Sequence, residues 1–484
     1  MPQPIVAPTA SDSDQGSVTV RYATFVLISL TVLNLLNYTD RFIFAALIPY
    51  IQEDTHFTDQ QFGLIGSAFT WIYTVCAPLF GYFGDRYHRG KLIAIGISIW
   101  SLATAAAGIS RSFMQLLVSR SAVGIGEANY ATIAPGLLSD FFTKERRGLA
   151  MSIFMAAIPI GTAVGYLVGG FFGKPSQLGW RHTLFLVGLP GLVAALIMFF
   201  IREPVRGAMD KNQVDEPRPS GDQSSDSQFP ADSPVPGFVQ YLPSPLRLLW
   251  NVFQKDYFPL LTNRGYMLAC LGYAAVTFSV GALVYWAPKW MTNDKGITAQ
   301  EANNVLGVCA VFGGAIGTII GGIVGDRLQK RVRGAYLWIC AISAALSAIP
   351  TVVAVMSPDK MVYQTSIFIA ITILFLGNGP INTALVNLVP PTLRTTALGL
   401  VVVIIHVLGD GISLSLVGAI STWIQHLAAQ GQAFPAIVTL VAQIFHLNPA
   451  TQSLSVALVL MPLGMVVGGF LYWLGLHTPE GKKL

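Results

Sequence analysis

Residues 81–91 read GYFGDRYHRGK, and residues 321–331 read GGIVGDRLQKR. Aligning Asp85 with Asp326 lays Gly-Asp-Arg on Gly-Asp-Arg at an offset of 241 residues, each followed by more basic residues. Three matched residues mean little by themselves. Their position gives them weight, because each string ends an apolar run that is the second of six in its half of the chain. Two parallel six-span repeats point to an alternating-access transporter with its site between the halves.

The composition fits that reading. Of 484 residues, 53% are hydrophobic and only 11% charged, with a mean hydropathy of +0.58, whereas soluble domains carry about 25% charged residues. Forty-seven glycines suit closely packed membrane helices. A membrane helix needs about 20 apolar residues, and twelve segments qualify. They are spans 1–6 at 22–50, 61–83, 90–110, 113–140, 146–173 and 180–202, and spans 7–12 at 262–290, 300–326, 333–356, 361–389, 394–425 and 450–476. Residues 433–446 are apolar but short, and read as a re-entrant or interfacial piece, with a thirteenth span as the alternative. The expected class is an all-α membrane protein with 12 transmembrane helices in two six-helix bundles.

Lysine and arginine in the connections set the orientation. One face receives Arg86, Arg89, Lys91, Lys144, Arg146, Arg147, Arg327, Lys330, Arg331, Arg333 and Arg394, with Arg21, Lys482 and Lys483 at the chain ends. The other has only Arg111, Lys174, Arg181, Lys289, Lys295 and Lys360. Both termini are therefore expected in the cytoplasm, which accounts for most of the net charge of +5 without any nucleic acid. The organisation follows as a tail (1–21), a first bundle (22–202), a linker (203–261), a second bundle (262–476) and a short tail (477–484). The first tail lacks the layout of a cleavable signal. The linker is polar and Pro-rich at first; Leu246, Leu249, Trp250 and Phe253 then recur at helical spacing, as in an amphipathic helix on the membrane surface.

Charges inside the spans are the candidate functional groups, since each is expensive in a bilayer. NYTDRF (37–42) puts Asp40 and Arg41 within span 1, and LLVSRSAVGIGEANYATIAP (116–135) puts Arg120 and Glu127 within span 4. Sequence neighbours on a helix cannot face each other, so Asp40 and Arg41 each need a partner elsewhere. Span 4 offers one of each sign, two helical turns apart. The four form either a static network or a proton-coupling site. In the second case Asp40 or Glu127 carries the proton, and Arg41 and Arg120, permanently charged, tune it or hold a headgroup. Burial disfavours a carboxylate's charge and a nearby arginine favours it, so changed contacts would couple protonation to conformation. The second half offers Asn378 and Asn382 in span 10 and His406 and Asp410 in span 11, either as packing residues or as a polar cavity wall. Four-spaced glycines at 161, 165, 169 and 173 and at 313, 317, 321 and 325 predict smooth helix faces, for static packing or for sliding.

Other classes are excluded by what the sequence lacks. The seven histidines form no metal-spaced box. No GxxxxGK[ST] phosphate loop is present. The four cysteines sit in apolar runs without motif spacing. Neither an enzyme nor an ATP-driven pump is expected, nor any cofactor or metal.

GYFGDRYHRGK resembles the signature loop of the major facilitator superfamily, and LLVSRSAVGIG resembles its span-4 motif. NYTDRF, GIGEANYATIAPGLLSDFF, MSIFMAAIPIGTAVGY and HVLGDGIS together resemble the spinster family of lysolipid and sphingolipid transporters, in a bacterial-type homologue. The resemblance implies two bundles that rock about a central cavity. It implies a cytoplasmic gate of the outward-facing state, in which Asp85, with Arg86 and Arg89, locks against the start of span 11, and Asp326, followed by Arg327, acts similarly against span 5. It also implies Asp40 and Glu127 as proton-coupling groups. The string around Pro159 lacks the Gly-Pro pair of the usual antiporter motif, which leaves the direction of coupling open. The expected function is proton-coupled transport of an amphipathic lipid, such as a lysophospholipid or a sphingoid phosphate. The alternative is symport of a small organic anion such as a sugar acid. A monomer in a bacterial inner membrane is expected, with protons, substrate and bilayer lipid as its partners.

Overall fold

The computed structural model describes residues 20–204, 253–390 and 393–481, and all regular structure among them is helical. Hydrocarbon offers nothing to a backbone N–H or C=O, so each crossing segment must satisfy its own. Spans 1–7 are Val20–Thr55, Asp59–Arg86, Arg89–Ile109, Phe113–Ser139, Lys144–Phe172, Gly179–Phe199 and Arg264–Asn293, and span 9 is Ala335–Met356. Span 8, Ala299–Gln329, passes through one widened turn at Cys309–Gly313. Span 10 breaks into Lys360–Phe375 and Asn378–Asn387, and span 12 into Ser453–Leu458 and Leu460–Leu476. Span 11 runs Arg394–Ile404, a widened turn Ile405–Asp410, then Gly411–Ala429.

Eleven of the twelve are long and apolar enough to cross a membrane. The exception, Phe113–Ser139, is long enough at 27 residues but more polar, since it carries Arg120 and Glu127. Residues 433–446 do not add a crossing. Ala436–Ile444 has nine residues, about 14 Å of rise against about 30 Å of hydrocarbon. Val438 and Ala442 pack inward, and Ile437, Leu440 and Ile444 face out. Of the expected linker helix, Leu246, Leu249 and Trp250 lie outside the described residues; Phe253 opens a short helical turn.

Each half builds its own core. Leu33, Trp100, Tyr130 and Phe154 pack together in the first, and Tyr266, Leu337, Leu385 and Tyr472 in the second. A third core is shared, with Phe44, Leu47 and Phe62 meeting Trp286, Trp290 and Val417. It lies at the end opposite the termini, here called the far end. Interbundle hydrogen bonds among the described residues fall in the same far half: Tyr285 Oη to the Phe62 carbonyl, Tyr166 Oη to the Val284 carbonyl, Asn303 Nδ2 to the Ala46 carbonyl and Ser415 Oγ to Ser67 Oγ. The bundles thus close at the far end and part towards the termini.

The glycine faces turn out to serve packing within each bundle. A Cβ on Gly161 or Gly165 would stand 2.6 or 2.8 Å from the Leu35 or Thr39 carbonyl oxygen of span 1. A Cβ on Gly317 or Gly321 would run into the Thr372 or Leu376 carbonyl of span 10. Neither set lies between the bundles, so the sliding reading gives way to the static one. The contact of span 5 with span 8 uses Ala163, Leu167 and Gly170 against Gly307 and Asn303.

Candidate functional site

The four membrane charges resolve into two crossed pairs. Span 4 carries Arg120 and Glu127 two turns apart on the side facing span 1, and Asp40 and Arg41 leave span 1 about 100° apart. Arg41 therefore reaches Glu127, with Nη2 at 2.8 Å and Nε at 3.0 Å from Oε2. Asp40 turns to Arg120, whose Nη1 stands 3.6 Å from Oδ2. The first pair is hydrogen-bonded and the second is not. Asp40 takes its hydrogen bond from the Thr104 hydroxyl of span 3, 2.8 and 2.9 Å from its two oxygens.

Burial separates the roles. Glu127 is fully buried, Asp40 and Arg120 nearly so, and the Arg41 side chain is 21% exposed. Arg41 is thus the one of the four open to a ligand. It also lies 5.0–5.3 Å from the ring centres of Tyr38, Phe69 and Tyr73, where ring faces attract a cation. Among the described residues, Glu127 Oε1 and Arg120 Nη1 have no hydrogen-bond partner.

Span 11 brings the second-half groups to this point. Its widened turn contains Gly409 at φ −90°, ψ −110°, outside the helical region, and a Cβ there would collide with Thr277 of span 7. Such turns recur at functional sites. This one presents His406, whose Nδ1 is 3.0 Å from Asp410 Oδ1, edge-on to the Tyr73 ring at 5.7 Å. A continuous line of contacts, Glu127–Arg41–Tyr73–His406–Asp410, therefore crosses from one bundle to the other.

Beside that turn lies a pocket of about 150 Å³ within the second bundle. Val276, Thr277, Val280, Ala344, Phe375 and Ile381 contribute to its wall, and Asn378 lies in its lining. Thr277 hydrogen-bonds the Ile405 carbonyl, which ties the pocket to the turn bearing His406. Asn382 stays out of it and donates to the Asn378 carbonyl on its own helix.

The described contacts of the gate residues fall within their own bundles. The Asp85 side chain lies outside the described residues. Arg86 lies over the Tyr82 ring, 3.5 Å from its centre. Arg89 joins Asp140, at the end of span 4, to Glu203, after span 6, so its partners belong to its own bundle. Asp326 accepts a 3.0 Å hydrogen bond from Tyr336, and Arg327 is exposed. Thr104 and Tyr73 carry no charge, and nothing in the sequence distinguishes them from other polar residues on apolar helices. Tyr38 was within reach, three residues before Arg41 on the same helix face.

Comparison with known proteins gives a concordant set of likenesses. Residues 30–414 match the model of the Major Facilitator Superfamily. Protein spinster homolog 1 of Xenopus tropicalis is 31% identical over 483 residues, covering 96% of this chain and 83% of its own. Protein spinster homolog 1 of Homo sapiens is 31% identical over 416 residues, covering 82% and 73%. In fold, the chain is similar to a bacterial homologue of the human lysosomal transporter spinster, solved in an inward-facing and unoccupied conformation. The TM-score is 0.75 at 21% identity, over 95% of this chain and 98% of that one.

Proposed function

The chain belongs to the major facilitator superfamily, in its spinster family, and is a secondary transporter; we propose on that premise that it moves an amphipathic lipid in exchange or company with protons. Both termini lie in the cytoplasm of a bacterial cell, by the distribution of lysine and arginine, and the conformation described is then open to the inside.

The observation that carries the lipid reading is the pairing of an open guanidinium with an apolar pocket. Arg41 takes an anionic headgroup on the first bundle. The pocket on the second takes part of an acyl chain: a cavity of 150 Å³ accommodates benzene, so it holds roughly six carbons, and the rest of the chain lies between the bundles. A sugar acid has no use for such a pocket.

The proton enters through Glu127. Its Oε2 is committed to Arg41 and its Oε1 has no donor among the described residues, so a proton on Oε1 meets no competing hydrogen bond there. Protonation removes the counter-charge of Arg41 and leaves the guanidinium, cushioned by three rings, to bind the headgroup. Asp40, hydrogen-bonded to Thr104 and only loosely met by Arg120, is the second titrating group.

The test is uptake into proteoliposomes under an imposed pH gradient, comparing a labelled lysophospholipid, a sphingoid phosphate and a sugar acid. Gradient-driven uptake of either lipid, lost in Glu127→Gln, supports the reading. Uptake of the sugar acid alone replaces it with small-anion symport, and uptake indifferent to the gradient returns the four charges to a structural role.

A further inference from the structure

Two wholly buried charges lie outside the site. Asp59 opens span 2 at the far end, and Lys289 sits near the far end of span 7; both side chains are wholly buried and they form an ion pair. The pair joins the two bundles. Asp59 Oδ2 also accepts from Ser421 Oγ at 2.6 Å and Gln425 Nε2 at 3.1 Å, both on span 11, and Oδ1 from Gln52 Nε2 at 3.3 Å on span 1. One residue on, the Gln60 amide donates to Thr422 of span 11. Around Lys289 stand the rings of Phe62 and Trp286, each centre 5.9 Å from the ammonium. Among the described residues its ammonium makes no hydrogen bond and relies on the ion pair with Asp59.

We infer that Asp59 and Lys289 are the lock of the far gate, holding the bundles together on that side and releasing them only when the pair is rehydrated. A buried ion pair is costly to assemble, and removing one partner is costlier still, because the other is left buried and uncompensated. That cost exists only while the far end is closed. Once the bundles part, each charge reaches water and needs no partner, so any change at the pair weighs on one conformation alone.

The two partners are not equivalent. Asp59 keeps three side-chain donors and the positive end of the span 2 helix if Lys289 is lost. Lys289 keeps two ring faces and only the more distant field of the Asp294 carboxylate, itself committed to Ser455, if Asp59 is lost. Asp59→Asn therefore shifts the balance towards the far-open state more strongly than Lys289→Met. Breaking a buried pair of this kind changes an equilibrium on the order of a hundredfold. With both residues neutral, Asp59→Asn with Lys289→Met, no charge is stranded and the far end closes again. The inference needs only that the bundles part at the far end; it holds whichever substrate is carried and whether or not protons drive it.

The test measures distance distributions between nitroxides at positions 53 and 293, which line the far-end cleft from the two bundles, by pulsed dipolar spectroscopy on the full-length protein in lipid nanodiscs. Wild type is expected to show mainly the short distance. Asp59→Asn should raise the ratio of long to short on the order of a hundredfold, Lys289→Met less, and the double variant should return towards wild type. An unchanged ratio in Asp59→Asn, or a double variant as open as the single one, overturns the lock. If Asp59→Asn fails to fold, Ser421→Ala should still shift the ratio in the same direction by about tenfold, and no shift there overturns the lock as well.

Discussion

Glu127→Gln tests the site through ligand binding. In the wild type an anionic headgroup can reach Arg41 only by competing with Glu127, which holds it through two charge-assisted hydrogen bonds of 2.8 and 3.0 Å. Such bonds contribute about 1.5–3 kcal/mol each, and neutral ones about half as much. Glutamine keeps a carbonyl oxygen for Arg41 but removes the competing charge, so the headgroup should gain about 1.5 kcal/mol, or roughly tenfold in Kd. Protonated glutamate behaves in the same way. Wild-type affinity should therefore fall as pH rises, because binding takes up a proton, and in Glu127→Gln it should be tight and flat. Titration calorimetry with a phosphate-headed lysolipid between pH 5.5 and 8.5 reads both effects. Equal affinity in the two proteins, or a variant that keeps the wild-type pH slope, would refute the competition between Glu127 and the headgroup.

Three further expectations concern other parts of the molecule. Arg89→Ala removes the cation shared by Asp140 and Glu203 and should destabilise the first bundle by about 3 kcal/mol; a melting temperature equal to wild type would contradict this. Ala344→Phe fills the pocket wall, so affinity should cease to rise with chain length over about six carbons, each worth about 0.8 kcal/mol when buried, while binding of a short-chain analogue should stay unchanged. Asp294, just past span 7, has its carboxyl pushed up to about 6 by burial despite two hydrogen bonds from Ser455. The folded state then binds its proton more tightly than the unfolded state, so stability should fall as pH rises from about 4 to 6. Asp294→Asn should flatten that part of a thermal-unfolding profile.

The sequence carried the fold because its signals were of kinds that survive without coordinates. Hydropathy marked the spans, and the repeated Gly-Asp-Arg related the halves. The need of Asp40 and Arg41 for partners was legible from helix geometry, and span 4 supplied one of each sign. Which charge met which was not legible, since it depends on the rotation of span 4 against span 1. The glycine runs announced close packing but not the neighbour. Tyr73 and Thr104 are neutral, and their importance comes only from what surrounds them. Lys289 was misleading for a physical reason: counting lysines to orient the chain treats each as exposed in a loop, whereas this one is buried against Asp59.

Alternating access with proton coupling makes one demand in reverse: moving the lipid must move protons. Proteoliposomes loaded with a pH-sensitive dye, given an outward-to-inward lysolipid gradient and no imposed pH gradient, should show a proton flux in wild type and none in Glu127→Gln. Lysolipid that crosses at the same rate in both proteins, with no change in internal pH, would contradict the account.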